Sequence, residues 1–304
     1  MGHEVTQLGH LGQTVWTAAA ASPVISITSG SGYAGSVYSS TVAGQWTADG
    51  VAISGATGTA WTMTAALEGK AIRCGASNVI RMWTPAALNS SYKTNGVWLS
   101  FDKGATLAAG KIAAAADLFG VRPYSQATAT AQFTASTISG HLAGVVTAGV
   151  AQSMAPAASF APLWWAVVAG YGAGTETAFA TYNQLVGTGT SVDGLRGNSG
   201  AATMGGGSGF YVNGTATATL LPGAKAIVAA TPTAGGTAYK WPLGLGRINT
   251  WGWSGPIYEA LALGAVPDTA TRQQIEGYLA HAQGLSASLP AAHPYKSAAP
   301  QVIA

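Results

Sequence analysis

Arg272-Gln-Gln-Ile-Glu-Gly-Tyr-Leu-Ala-His-Ala-Gln-Gly-Leu285 is the one long stretch of this sequence with the periodicity of a helix, and it sets the reading of everything before it. Ile275, Tyr278, Leu279 and Ala282 fall on one face, while Arg272 and Glu276 sit one turn apart on the opposite face. Asp268 or Thr269 supplies the N-cap, and Gly284 stands where a left-handed C-terminal cap belongs. So short an amphipathic helix must lie on an apolar surface built elsewhere. Upstream the chain is Ala, Gly, Ser, Thr and Val with scattered Trp, cut by frequent turn signals, so that surface is expected to be a β-sheet.

Residues 1–22 carry no clear periodicity and read as an N-terminal arm suited to docking on a neighbouring subunit. From Pro23 the pattern becomes short runs of period two: Val24-Ile-Ser-Ile-Thr28, Gln45-Trp-Thr47, Val51-Ala-Ile53, Ala60-Trp-Thr-Met63 and Ala71-Ile-Arg-Cys74, with Asp49-Gly50 as a hairpin turn. That density of strands predicts a small sandwich over residues 23–82. Pro85 breaks the pattern, and a second domain is expected over 83–304. There the turns Asn95-Gly96, Asp193-Gly194, Gly205-Gly-Gly207, Asn213-Gly214 and Gly235-Gly236 separate candidate strands. These are Val97-Trp-Leu-Ser-Phe101, Trp164-Trp-Ala-Val-Val168, Phe210-Tyr-Val212, Ala226-Ile-Val-Ala229 and Ile257-Tyr-Glu-Ala-Leu-Ala262. The predicted fold class is all-β, a small sandwich followed by a jelly-roll sandwich with one short C-terminal helix.

Composition narrows the function classes. Lys and Arg total 13 and Asp and Glu 10 in 304 residues, so 8% is charged, against about 25% in ordinary soluble proteins. The net charge of +3 is spread along the chain with no cluster to neutralise a row of phosphates, which argues against nucleic acid as a partner. Pro123 to Thr175 lacks Asp, Glu, Lys and Arg, yet Pro156, Pro162 and many glycines and hydroxyl residues interrupt it, so no membrane span is expected. The start, with Glu4 and no basic region before an apolar core, does not read as a secretory signal. The lone Cys74 precludes an intrachain disulfide and reads as a small buried hydrophobe.

Two resemblances give this plan a setting. The segment Gly44-Gln-Trp-Thr-Ala-Asp-Gly through Cys74-Gly-Ala-Ser-Asn78 resembles the immunoglobulin-like modules of bacterial surface and phage virion proteins, with Trp46 as the core tryptophan and Glu68, Gly69, Ile72 and Cys74 on the later strand. Ile72 replaces the usual tyrosine and the partner cysteine is missing, which implies a disulfide-free module. The order Gly255-Pro-Ile-Tyr-Glu259, the helix, Gly284-Leu285, then Leu289-Pro and His293-Pro-Tyr295 is similar to the C-terminal signature of concanavalin-like (laminin-G-like) lectin domains, which occur in virion proteins of tailed phages and gene transfer agents and in bacterial surface proteins. It implies a helix that closes one edge of a sandwich and a tail anchored by His293-Pro294-Tyr295. The expected protein is therefore a structural virion protein, a capsid decoration, fibre or tail component at the virion surface. It would form homo-oligomers, contact other virion proteins and adhere to host-surface polysaccharide. A bacterial surface adhesin and a polysaccharide-degrading enzyme of lectin-like fold are the alternatives.

Sugar recognition uses a flat aromatic face with nearby amides or charges. Trp164, Trp165, Tyr239, Trp241, Trp251 and Trp253 are candidate faces, with Arg196, Asn198, Asn213 and Asn249 as polar partners. Trp251 and Trp253 alternate with Gly252 and share one side of a strand. The carbohydrate-binding set is Trp251, Trp253, Trp241, Asn249, Arg196 and Asn198, each of the tryptophans having core packing as its competing reading. No catalytic residue is assigned. Asp102, Asp117, Glu176, Asp193, Glu259, Asp268 and Glu276 form no paired-carboxylate motif of a glycosidase, and Glu259 is read as a structural acceptor of backbone donors near the terminal helix. Gly197-Asn-Ser-Gly-Ala201 resembles a protease nucleophile loop, but His141 and Asp102 lack the expected neighbours, so it reads as a turn. Asp193 with Asn198 is the nearest thing to a calcium site, and neither it nor His3 with His10 is assigned a metal, so no cofactor is expected.

Overall fold

The computed structural model describes residues 22–147, 150–171, 183–188, 194–197, 203–245 and 252–302. The N-terminal arm, apart from Ser22, lies outside them.

The first module is a sandwich of two three-stranded antiparallel sheets. One contains Ile25–Ser29, Val37–Ser40 and Ala60–Thr62, and the other Val51–Ala52, Trp46–Ala48 and Ile72–Cys74. Asp49 and Gly50 both take positive φ, 49° and 82°, which is the twist a two-residue hairpin needs to bring Ala48 opposite Val51. Trp46 pairs with Cys74 across the second sheet, and Trp46, Ile72 and Cys74 are buried. Cys74 is a free thiol in the core.

The second part is built on a twelve-stranded, antiparallel sheet. Its centre is Trp164–Gly170 between Lys225–Pro232 and Gly255–Leu263. Every residue of Trp164–Gly170 is buried, so both faces of the sheet are covered. Alternation sorts the side chains: Trp164, Ala166 and Val168 join one core, Trp165, Val167 and Ala169 the other. On the second face lies a sheet of Gln184–Val186, Leu195–Gly197 and Met204–Gly205, whose Leu185, Val186, Leu195 and Met204 close the core over Trp165, Trp241 and Trp253. The result is an all-β sandwich with one long helix.

That helix, Thr269–Ala282, covers the first face. Asp268 is its N-cap, accepting from the Thr271 amide at 2.7 Å, and Gly284 follows with φ 70°. Ile275, Tyr278 and Leu279 are fully buried against the sheet, each worth roughly 1.5–3 kcal/mol relative to exposure. The opposite face is not left to solvent. The chain after Gly284 doubles back across it, burying Arg272 and Glu276, and runs on to the first module. There the Trp83 amide donates to Pro300 O and the Val302 amide to Arg81 O, both at 2.9 Å. Tyr33 and Trp83 pack edge-on against Tyr278 at ring separations of 5.2 and 6.1 Å. The helix is thus a pillar between two β-structures, and the core of the first module is continuous with the core around it.

Candidate functional site

Several of the chain's few charges lie where the modules meet. Strand Val97–Ser100 turns into a single helical turn, Phe101–Gly104, which carries Asp102 and Lys103 to the edge of the first module. The Lys103 ammonium lies 2.7 Å from Glu68 Oε2 and donates to the Tyr278 hydroxyl at 2.5 Å. It also sits 5.1 and 5.0 Å from the ring centres of Trp98 and Tyr278. Glu68 in turn accepts from the Ala34 amide. Behind them Glu259, 1% exposed, accepts from Trp98 Nε1 at 2.7 Å, the Tyr278 hydroxyl at 2.8 Å and Gln283 Nε2 at 2.9 Å. Its donors are side chains, not the backbone groups the sequence suggests. Burial, then the Glu259 and Glu68 carboxylates, push the Tyr278 phenol well above its ordinary value, so it stays a donor.

Asp102 and His141, the pair weighed and set aside with the Gly197-Asn-Ser-Gly-Ala201 turn, are joined: Nδ1 of His141 is 2.9 Å from Oδ2 and the Leu142 amide donates to Oδ1 at 2.7 Å. Burial works to raise the Asp102 carboxyl, but those two hydrogen bonds and the charges of His141 and Lys225 outweigh it and hold the group below its usual range. Burial draws Lys225 down to about 8 against the pull of Asp102 and Glu259; its ammonium donates to Gln283 O and stands 4.0 Å over the Tyr258 ring. Two clefts of about 310 and 440 Å3 flank this network and share Glu68, Asp102 and Lys103. Lys103, Glu68 and Glu259 are already engaged with one another or with Tyr278, so the arrangement locks the modules together.

The predicted sugar-binding residues fare differently. Trp241 and Trp253 are 0% and 1% exposed, which corrects their reading as ligand faces. Trp253 Nε1 donates to Gly170 O at 2.9 Å with its ring 4.6 Å from Tyr171, and Trp241 Nε1 donates to Phe160 O at 3.1 Å. The cause is the small second-face sheet, which roofs these rings. Trp164 and Trp165 are buried too. Arg196 is half-buried on Leu195–Gly197, registered with Gln184, which also bridges to Gly252. Asn213 Oδ1 accepts from the Ile227 amide and so ties its turn to the neighbouring strand Lys225–Pro232. Trp251, Asn249 and Asn198 lie outside the described residues, as do Asp193 and the loop after Gly197. Among the described residues no group of three metal-ligating side chains occurs.

Trp61 was missed by sequence reasoning. It lies on Ala60–Thr62, the edge strand of its sheet, and among the described tryptophans it is the one that is not buried. Its ring packs inward on Tyr38 and Trp46, at 5.8 and 6.1 Å, and lines an open groove of about 400 Å3 with the turn 54–58.

Comparison with known proteins yields no family: no protein-family model, curated protein or solved structure matches the chain significantly.

Proposed function

We propose that the chain is a structural virion protein of a tailed phage or gene transfer agent, a decoration, fibre or tail component that makes assembly contacts and adheres to host-surface polysaccharide. One observation carries this reading: the segment that resembles the lectin-type C-terminus is the pillar that joins two β-modules through a buried aromatic and ionic lock. A unit so joined holds two surfaces at a fixed separation, one for the particle and one for the host. Repetition on a particle multiplies weak contacts through avidity, so poor monomeric affinity is compatible with firm adhesion. The absence of disulfides suits assembly in a reducing cytoplasm before use outside it.

The test is physical association with particles. The chain should co-sediment with tailed particles purified from producing cells, and particles made without it should adsorb more slowly to host cells. A chain found wholly in the free-protein fraction of a particle-yielding culture would overturn the reading.

A further inference from the structure

We infer that the groove beside Trp61 on the first module is a binding site for a neutral saccharide. This rests on the adhesive half of the proposed function and relocates it from the second module, where Trp241 and Trp253 are spent on the core, to the first.

Three observations point there. First, Trp61 is the one described tryptophan that is not buried, and its ring packs on Tyr38 and Trp46 while lining the groove. An indole held on one side and open on the other is the surface against which the C–H face of a pyranose packs. Second, the rest of the lining is hydroxyl and backbone: Ser54, Thr57 and Thr62 are exposed around Gly55 and Gly58, and the groove is lined by no charged side chain. A Cβ at Gly55 would meet nothing within 4 Å, so the floor is open to an approaching ring. Sugar hydroxyls can exchange hydrogen bonds with such a wall, whereas a uronate or phosphate would find no counter-charge. The clefts at the module junction are the converse, lined by Glu68, Asp102 and Lys103.

Third, the wall is built in advance. Trp46 Nε1 donates to Gly58 O at 2.9 Å, and the Gln45 amide nitrogen lies 2.8 Å from Trp46 O, 2.8 Å from Ile53 O and 3.1 Å from Ala56 O. The turn is therefore pinned from beneath by the core tryptophan and its neighbour, and a ligand need not order it.

The full chain, tetramerised on streptavidin, is tested against immobilised dextran, mannan and arabinogalactan as neutral probes and alginate and polygalacturonate as acidic ones. Binding to at least one neutral polysaccharide is expected. Trp61→Ala should weaken it at least about tenfold, Trp61→Phe much less, and Thr57→Glu, on an exposed turn where folding is not at stake, about as much as Trp61→Ala. Should Trp61→Ala unfold, Thr57→Glu decides. Binding that survives both changes, or that is confined to the acidic probes, overturns the site and leaves adhesion standing. No binding to any probe, or to polysaccharide extracted from the host surface, overturns site and adhesion together.

Discussion

Gly277 occupies the middle of the terminal helix, where general propensity and local packing give opposite answers to one substitution. Replacing a helical glycine by alanine gains about 1 kcal/mol from backbone entropy. Here the added Cβ would stand 2.6, 2.7 and 2.8 Å from Cβ, Cγ and Cδ2 of Tyr295 in the returning tail. The nearest of these is fixed to the backbone, so no rotamer change relieves it and the tail must move. That tail is held by His281 Nε2 at 2.8 Å from Tyr295 O, by Lys296 donating to Leu289 O, and by its two backbone bonds to the first module. Overpacking of this kind costs about 1–3 kcal/mol, and loosening the tail adds to it. The expected net effect of Gly277→Ala is destabilisation by about 1–2 kcal/mol, or a fall in Tm of about 2–4 °C per kcal/mol. Trypsin cleavage at Lys296 should appear at the same time. In a Tyr295→Gly background the same substitution should become stabilising by about 1 kcal/mol, since only the propensity term remains. A rise in Tm for Gly277→Ala in the otherwise native chain would refute the placement of the tail on the helix.

Three further outcomes follow from the same geometry. Trp253→Ala should cost about 3–5 kcal/mol in denaturant unfolding, as a core truncation does; a loss below about 1 kcal/mol would place the ring outside the core. Asp268→Ala should remove about 1 kcal/mol by leaving the Thr271 amide uncapped, and unchanged stability would show that the cap is dispensable. Burial, with the charges of Arg272 and His281, holds His293 below 6.5, so the folded chain binds fewer protons there. Its contribution is full above 6.5 and is lost as pH falls towards the lowered value. Burial raises Glu276 above 4.5, which gives the opposite slope lower down. The Tm of the native chain should therefore drop between pH 7 and 5.5 relative to His293→Gln, and parallel curves would count against it.

Much of the strand plan was legible because turn chemistry is local. Asn213-Gly214 and Asp49-Gly50 announce their hairpins by residue type, and the strands beside them carry Val, Ile and aromatic residues. The hairpins centred on Ala109-Gly110 and Ser139-Gly140 were not seen. Both use positive φ at two successive positions, yet Ala and Ser are poor markers for it, and strands such as Lys111–Ala115 are mostly alanine. The inward face of the helix was legible from its period, but the fate of Arg272 and Glu276 was not. Their burial depends on the tail and on Tyr211, which lies 3.6 Å from the Arg272 guanidinium and 61 positions away in sequence. Trp61 failed for a related reason. Period two places it with Met63 facing the interior, and its position on an edge strand leaves it only partly buried, which no local pattern encodes.

The scarcity of charge takes on a physical sense once burial is known. Asp117, Glu259 and Glu276 are all less than 9% exposed, and the Glu68 side chain is 4% exposed, so several of the ten acidic residues are not surface groups at all. Asp117 alone accepts from the amides of Trp98, Phe119, Val121 and Arg122, at 2.7 to 3.0 Å, tying a strand end to the turn that follows. Carboxylates so engaged are costly to desolvate, and removing either side of the arrangement leaves a buried charge or a row of orphaned donors. What remains outside is mainly hydroxyl, amide and small apolar surface. Contacts made by such a surface draw little on long-range attraction, which salt screens within about 10 Å at 0.1 M, and depend on shape and short hydrogen bonds instead. Binding of a neutral saccharide in the Trp61 groove, as proposed, should therefore persist across a wide range of ionic strength.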